Sequence, residues 1–115
     1  MRDLDQVRAD AAFDAVLFDR GQALPDLVEG YVLHTDDPVL RYFLVQLMGF
    51  SGSKAAVKPL ILALDDPDPS VRAEACRGLE DLRARKAHAA LRARLTDMSR
   101  EVREAAADAL KRIGG

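Results

Sequence analysis

The C-terminal two-thirds of this chain repeats itself with a period of 31 residues. The period relates three pairs of segments: Val71-Arg72 and Val102-Arg103, Leu79 and Leu110, and Asp37-Pro38 and Asp68-Pro69. A fixed period of this size is typical of stacked supersecondary units, each of which buries its apolar face only against its neighbours. The repeat therefore predicts a solenoid.

The apolar residues within each unit recur at helical spacing. Val71, Ala75 and Leu79 fall on one face of a helix, and their counterparts one period later do the same. Asp followed by Pro is typical of a helix start, because Asp caps free amides and Pro at the first position has no amide to lose. Pro59 fits only in the first turn of its helix or at a bend. We predict seven helices, over residues 4–19, 24–34, 38–50, 54–64, 69–83, 86–96 and 100–113.

The charge of the chain is nearly balanced overall but unevenly distributed. The formal net charge is −2, which argues against a nucleic-acid partner. Residues 1–70 carry 6 basic and 12 acidic side chains, whereas residues 71–115 carry 11 and 7. This polarity would orient a partner or favour head-to-tail self-association, although solvated helix faces often differ in this way.

Cysteine content and hydropathy indicate a compartment. The single cysteine, Cys76, excludes an intramolecular disulfide and suits a reducing environment. No apolar run is long enough to span a membrane, and residues 1–5 lack the pattern of a signal peptide. We therefore predict a cytoplasmic protein without membrane contacts.

Two copies of the repeat resemble a known family. The segment 60–75, with Leu79 and Leu82, and the segment 91–113 resemble the short HEAT repeat often called PBS-lyase HEAT-like. The resemblance implies an all-α, right-handed α-solenoid (superhelix) of about three helical hairpins plus an N-terminal helix. We divide the single domain, residues 1–115, into a degenerate N-terminal cap (1–20) and repeats over 24–52, 53–84 and 85–115.

The resemblance also implies a ladder of Asp and Arg residues between repeats. Asp66, Asp97, Arg72 and Arg103 occupy the positions of this ladder. The first copy has Thr35 at the position of the ladder Asp, which leaves Asp36 or Asp37 as a partner for Arg41. These arginines are better interpreted as structural than as ligand-binding.

The sequence contains no recognisable set of catalytic residues, and we predict no cofactor site and no metal site. His34 and His88 have no second ligand at metal-binding spacing, and the acids after His34 are explained by helix capping. Cys76 stands opposite Ala107 in the repeat and is interpreted as a buried thiol. The basic residues Arg83, Arg85, Lys86, Arg92 and Arg94 form either an electrostatic site or a solvated helix face.

The second helix of each hairpin is implied to line the concave surface. The helix at 38–50 is apolar nearly all round, whereas its relatives are amphipathic, which indicates either a core helix or an interaction patch. The predicted partner-binding residues are Val39, Tyr42, Gln46, Phe50, Ser70, Ala73, Arg77, Glu101, Glu104 and Asp108.

Together these features favour a non-catalytic protein-binding module: an adaptor, regulator or assembly factor. Two alternatives remain open. One is a subunit of an enzyme such as a bilin lyase, and the other is a self-assembling unit that pairs through its N-terminal apolar helices or its C-terminal helix. The repeat alone does not identify the partner.

Overall fold

The computed structural model describes residues 24–33 and 36–114, and the predicted helix at 4–19 lies outside them. Within these ranges the chain is helical and has no strand. Short 3₁₀ turns precede the third and fifth helices, and another follows the fifth. The helices are α1 (Leu24–Leu33), α2 (Pro38–Phe50), α3 (Val57–Ala63), α4 (Pro69–Asp81), α5 (His88–Ala93) and α6 (Arg100–Ile113).

The helix starts predicted at residues 24, 38, 69 and 100 are confirmed, whereas α3 and α5 begin at Val57 and His88 and not at residues 54 and 86, because a 3₁₀ turn precedes each of them. The Asp37 carboxylate accepts from two amides in the first turn of α2, and the Asp68 carboxylate accepts from the Ser70 amide at the start of α4. Ser99 caps α6 in the same way. Pro59 lies in the first turn of α3, because that helix begins at Val57 after a 3₁₀ turn. These caps satisfy amides that have no partner inside the helix.

The second helix of each hairpin is followed by a residue in the left-handed conformation. Gly52 has φ +68°, Arg83 has φ +52° and Gly114 has φ +83°. The three residues are spaced by the 31-residue period, so they are the same position in consecutive units. The left-handed conformation turns the chain out of the helix, and glycine adopts it without a clash of Cβ.

The second helices lie side by side, and the first helices pack against them. α4 lies between α2 and α6, while α1, α3 and α5 contact α2, α4 and α6 respectively. Val71 and Val102 are fully buried between these layers, as the repeat predicts. The matched residues Leu60 and Leu91 of the first helices are also fully buried. The apolar seam therefore runs continuously through the units, as in a solenoid.

α2 and α4 approach so closely that their backbones touch. A Cβ atom on Gly49 would lie 2.9 Å from Gly78 Cα, and one on Gly78 would lie 3.1 Å from a methyl of Leu60. A larger residue at either position would push the two helices apart. These two glycines therefore set the spacing between the first and second units.

Candidate functional site

α2 is both a core helix and an exposed apolar surface. Val45 and Met48 are fully buried in the core, whereas Val39 is 65% exposed and Phe43 is 40% exposed. Half-buried Tyr42 packs edge-to-face against Phe43, with ring centroids 5.8 Å apart and planes at 80°. The apolar character of α2 thus has two causes, which the sequence alone left as alternatives.

The beginnings of α2, α4 and α6 enclose a shallow groove of about 410 Å³. α2 supplies Pro38, Val39, Tyr42 and Phe43, and the other side is formed by Asp68, Ser70 and Glu101. The apolar and aromatic side chains of one wall face polar side chains on the other. Four of the predicted binding residues therefore meet in one place: Val39, Tyr42, Ser70 and Glu101.

An ion-pair network holds one side of this groove. Arg77 on α4 contacts Glu74 on its own helix and Glu101 on α6, each at 3.2 Å. Burial and the nearby Glu74 carboxylate both raise the pKa of Tyr42 above its ordinary value, so this phenol stays protonated at neutral pH. The groove therefore offers a neutral aromatic wall beside a paired, charged rim.

The other predicted binding residues lie outside the groove. Phe50 is exposed at the far end of α2, Gln46 is half-buried, and Glu104 and Asp108 are exposed on α6. Ala73 is fully buried, so the prediction that it contacts a partner is wrong. The reason is that α4 is packed on both sides, by α2 and by α6, which leaves it a narrower exposed strip than the repeat pattern indicates.

Phe43 is a groove residue that the set of predicted binding residues omits. It stands four positions after Val39, so the two side chains share one face of α2. That spacing is the signal that identifies it.

The Asp–Arg ladder is present and links consecutive units. Arg41 Nε lies 2.9 Å from Asp66 Oδ2 and Arg41 Nη2 lies 3.1 Å from Oδ1. Arg72 makes the same two contacts with Asp97, both at 3.0 Å. Arg41 and Arg72 thus each bind the aspartate of the following unit, whereas Arg103 donates to the Asp97 and Met98 carbonyl oxygens of its own unit. The partner of Arg41 is therefore Asp66, and the prediction that Asp36 or Asp37 binds Arg41 is wrong. The Asp37 side chain instead caps the start of α2.

Asp66 is the most enclosed member of this ladder. Its carboxylate also accepts from Tyr31 Oη at 2.8 Å and from the Asp68 amide at 2.9 Å. Burial acts to raise the pKa of Asp66, but these hydrogen bonds and the Arg41 charge outweigh burial and hold the pKa below its ordinary value. The same balance lowers the pKa of Asp97. The ladder is therefore ionised and structural.

The predicted basic stretch is divided by the fold. Arg94 contacts Asp97 at 3.4 Å and belongs to the ladder, and Arg92 is exposed on α5. Arg83, Arg85 and Lys86 line a separate cavity near the start of α3. These basic residues therefore form neither a single electrostatic site nor a single solvated helix face, the two alternatives that the sequence left open.

The remaining candidates for chemistry are Cys76 and the histidines, and Cys76 is fully buried in the core. Burial raises the pKa of the Cys76 thiol to about 12, as expected for an unreactive packed cysteine. No cluster of metal-ligating side chains occurs in the residues that the structure describes, and His34 lies outside them. None of the helices described has both the length and the apolar character needed to cross a bilayer.

The comparisons with known proteins agree with the repeat. The family model for HEAT repeats matches residues 57–115, which is the second and third hairpins. A search of curated proteins found no match. The matched segment contains α3 to α6, both ladder aspartates and the paired helices of the apolar seam. With more than half of its length in the matched segment, the chain belongs to the HEAT-repeat family.

Proposed function

We propose that this chain is a non-catalytic protein-binding module, an adaptor, regulator or assembly factor, whose partner occupies the groove between α2, α4 and α6. HEAT repeats generally mediate protein–protein interaction. The observation that carries the proposal is the exposure of Val39 and Phe43 beside Tyr42 in a concave site. Aromatic anchors in a pocket with a polar rim are the usual energetic centre of a protein interface.

The proposal is tested with paired variants of exposed apolar residues. Val39→Asp and Phe43→Ser alter the groove, whereas Leu62→Asp alters α3, where the side chain is 70% exposed and is not part of the groove lining. Each tagged variant captures proteins from the native host, quantified by mass spectrometry, and the captured partner is then purified and titrated by calorimetry. The proposal requires that the groove variants lose at least about tenfold in affinity and that Leu62→Asp does not.

Circular dichroism of each variant separates lost binding from lost folding. Exposed positions tolerate substitution with small changes in stability, so all three proteins are expected to unfold near the wild-type temperature. Equal binding by the groove variants and by Leu62→Asp would contradict the proposal. Phe50→Ala, at the far end of α2, reports whether the interface extends along the whole helix.

Two further experiments test the alternatives. Self-assembly through α6 or the N-terminal helices would appear as concentration-dependent sedimentation of the purified chain. The exposed side chains of α6 include Glu104, Asp108 and Lys111, and this polar surface favours a heterologous partner over an apolar contact between copies. A role in a bilin-lyase-like enzyme would appear as a new absorbance band after incubation with a bilin.

A further inference from the structure

A second concave site lies at the other end of α4 from the groove. It is a cavity of about 540 Å³ between the 3₁₀ turn before α3 and the connection from α4 to α5. α4 has 13 residues, so the two sites are separated by roughly 20 Å along this helix. The cationic side chains that line the cavity are Lys54, Lys58, Arg83, Arg85 and Lys86.

In the part of the chain that the structure describes, these positive charges have no carboxylate partner. Within the described ranges, none of the five side chains lies within 4.0 Å of a carboxylate, and the cavity lining contains no acidic residue. Most other arginines in those ranges are ion-paired: Arg41, Arg72, Arg77, Arg94, Arg100 and Arg112. Like charges around one cavity repel each other, so an anion bound there would lower the electrostatic energy.

The backbone conformation of Arg83 is a second observation that points to this cavity. It has φ +52° at the position where the preceding and following units have Gly52 and Gly114. A residue with a Cβ atom is disfavoured in this conformation, and strained residues are concentrated at functional sites. Its guanidinium donates a 2.8 Å hydrogen bond from Nη1 to the Arg112 carbonyl oxygen on α6. The chain thus keeps an arginine at a position where glycine relieves the strain.

The rest of the lining restricts the chemistry of the ligand. The lining also contains Ala55, Val57, Leu82 and Ala84, which make part of the cavity surface apolar. No aromatic side chain is among the lining residues, so nucleic-acid bases have nothing on which to stack. The net charge of −2 also disfavours a nucleic acid. A free phosphate would pair with the cations but would not cover the apolar residues of the lining.

We infer that this cavity binds an acidic peptide segment of a protein partner, in which carboxylates flank an apolar side chain. The carboxylates pair with the lysines and arginines, and the apolar side chain covers Val57 and Leu82. The inference rests on the proposed function, since it assumes a protein partner, but it depends on residues that the groove does not use. The two sites would hold the partner at both ends of α4.

The test uses a fluorescein-labelled peptide of alternating Glu and Leu residues, followed by fluorescence anisotropy with the full chain. The charge-reversed variant Lys58→Glu/Arg85→Glu is expected to bind at least about tenfold more weakly than wild type. The matched control Arg92→Glu/Lys111→Glu changes the net charge equally at exposed residues outside the cavity, and its affinity should stay within about twofold. Raising the ionic strength should weaken wild-type binding.

Arg83→Gly separates binding from folding. Glycine is the residue that both neighbouring units use at this position, so the substitution should leave the unfolding temperature unchanged or raise it while weakening peptide binding. If Arg83 serves only to bond the Arg112 carbonyl, the unfolding temperature should fall and peptide binding should not change.

Four results would overturn the inference. They are an absence of peptide binding, equal weakening in the two charge-reversed variants, equal affinity for a peptide with Ser in place of Leu, and displacement of the peptide by inorganic phosphate or single-stranded DNA at equal or lower concentration. Val39→Asp should leave peptide binding intact. If Val39→Asp abolishes binding of the partner but the wild-type chain does not bind the peptide, only this inference is refuted. If the wild-type chain binds the peptide but Val39→Asp still binds the partner, only the proposed function is refuted.

Discussion

Asp66→Ala should remove a large part of the stability of this protein, because it removes the carboxylate that binds the buried charge of Arg41. The Arg41 side chain is 6% exposed and the Asp66 side chain is 2% exposed. Removing one member of such a pair costs about 3–5 kcal/mol, because the remaining charge stays in a medium that solvates it poorly. Small domains have only about 5–15 kcal/mol of stability in total, so the loss is large.

Urea unfolding followed by circular dichroism measures this effect. With a dependence of about 1.5 kcal/mol per M urea, a loss of about 4 kcal/mol lowers the midpoint by roughly 2–3 M. Asp65→Ala is the matched control, because the neighbouring carboxylate is 80% exposed and lies 3.8 Å from Arg94. An exposed pair of this kind contributes less than about 1 kcal/mol.

A double variant separates the buried charge from the other bonds of Asp66. Arg41→Met/Asp66→Ala removes both charges, so it should be more stable than Asp66→Ala by at least about 2 kcal/mol. It should not regain wild-type stability, because Tyr31 and the Asp68 amide still lose their acceptor. Equal stability of the double and single variants, or a loss in Asp66→Ala no larger than in Asp65→Ala, would refute the reasoning.

Three further predictions concern the ladder, the helix spacing and the thiol. Folding lowers the pKa of Asp66 and Asp97, so their contribution to stability is fully present above the unfolded pKa of about 3.9 and is lost as the pH falls below it. The urea midpoint of the wild-type protein should therefore drop from pH 5 to pH 3. The drop should be smaller in Asp66→Ala, which lacks one of the two carboxylates. Gly49→Ala should cost about 1–3 kcal/mol in thermal unfolding, because its Cβ meets the Gly78 backbone, and an unchanged unfolding temperature would contradict that contact. Cys76, with a pKa of about 12, should react with a thiol reagent only as the protein unfolds, and rapid labelling of the native state would show that it is accessible.

The sequence predicts the helices and their buried faces because both depend on local rules. Asp37-Pro38 and Asp68-Pro69 each begin a helix, since the cap and the fixed φ of proline act within one turn. The spacing of Val71, Ala75 and Leu79 likewise places them on one face of α4. The 31-residue period then indicates that each such face is covered by the next unit.

The candidate sites depend on contacts between residues far apart in the chain. Tyr42 and Phe43 are on α2 but Ser70 and Glu101 come from later units, and the groove exists only because three helix starts converge. Ala73 is buried although the repeat pattern places it on the exposed face of α4. Matched positions in a repeat differ in exposure according to whether second helices of other units lie on one side or on both sides.

The sequence by itself determined the repeat and the helix starts that follow Asp37, Asp68 and Ser99, because these follow from local capping, helical periodicity and a recurring pattern. The tertiary structure decided which arginine meets which aspartate and brought Lys54 and Lys58 beside Arg83. The physical reason is that the offset between hairpins is fixed by packing, through contacts such as that of Gly49 with Gly78, and no local rule of the chain specifies that offset.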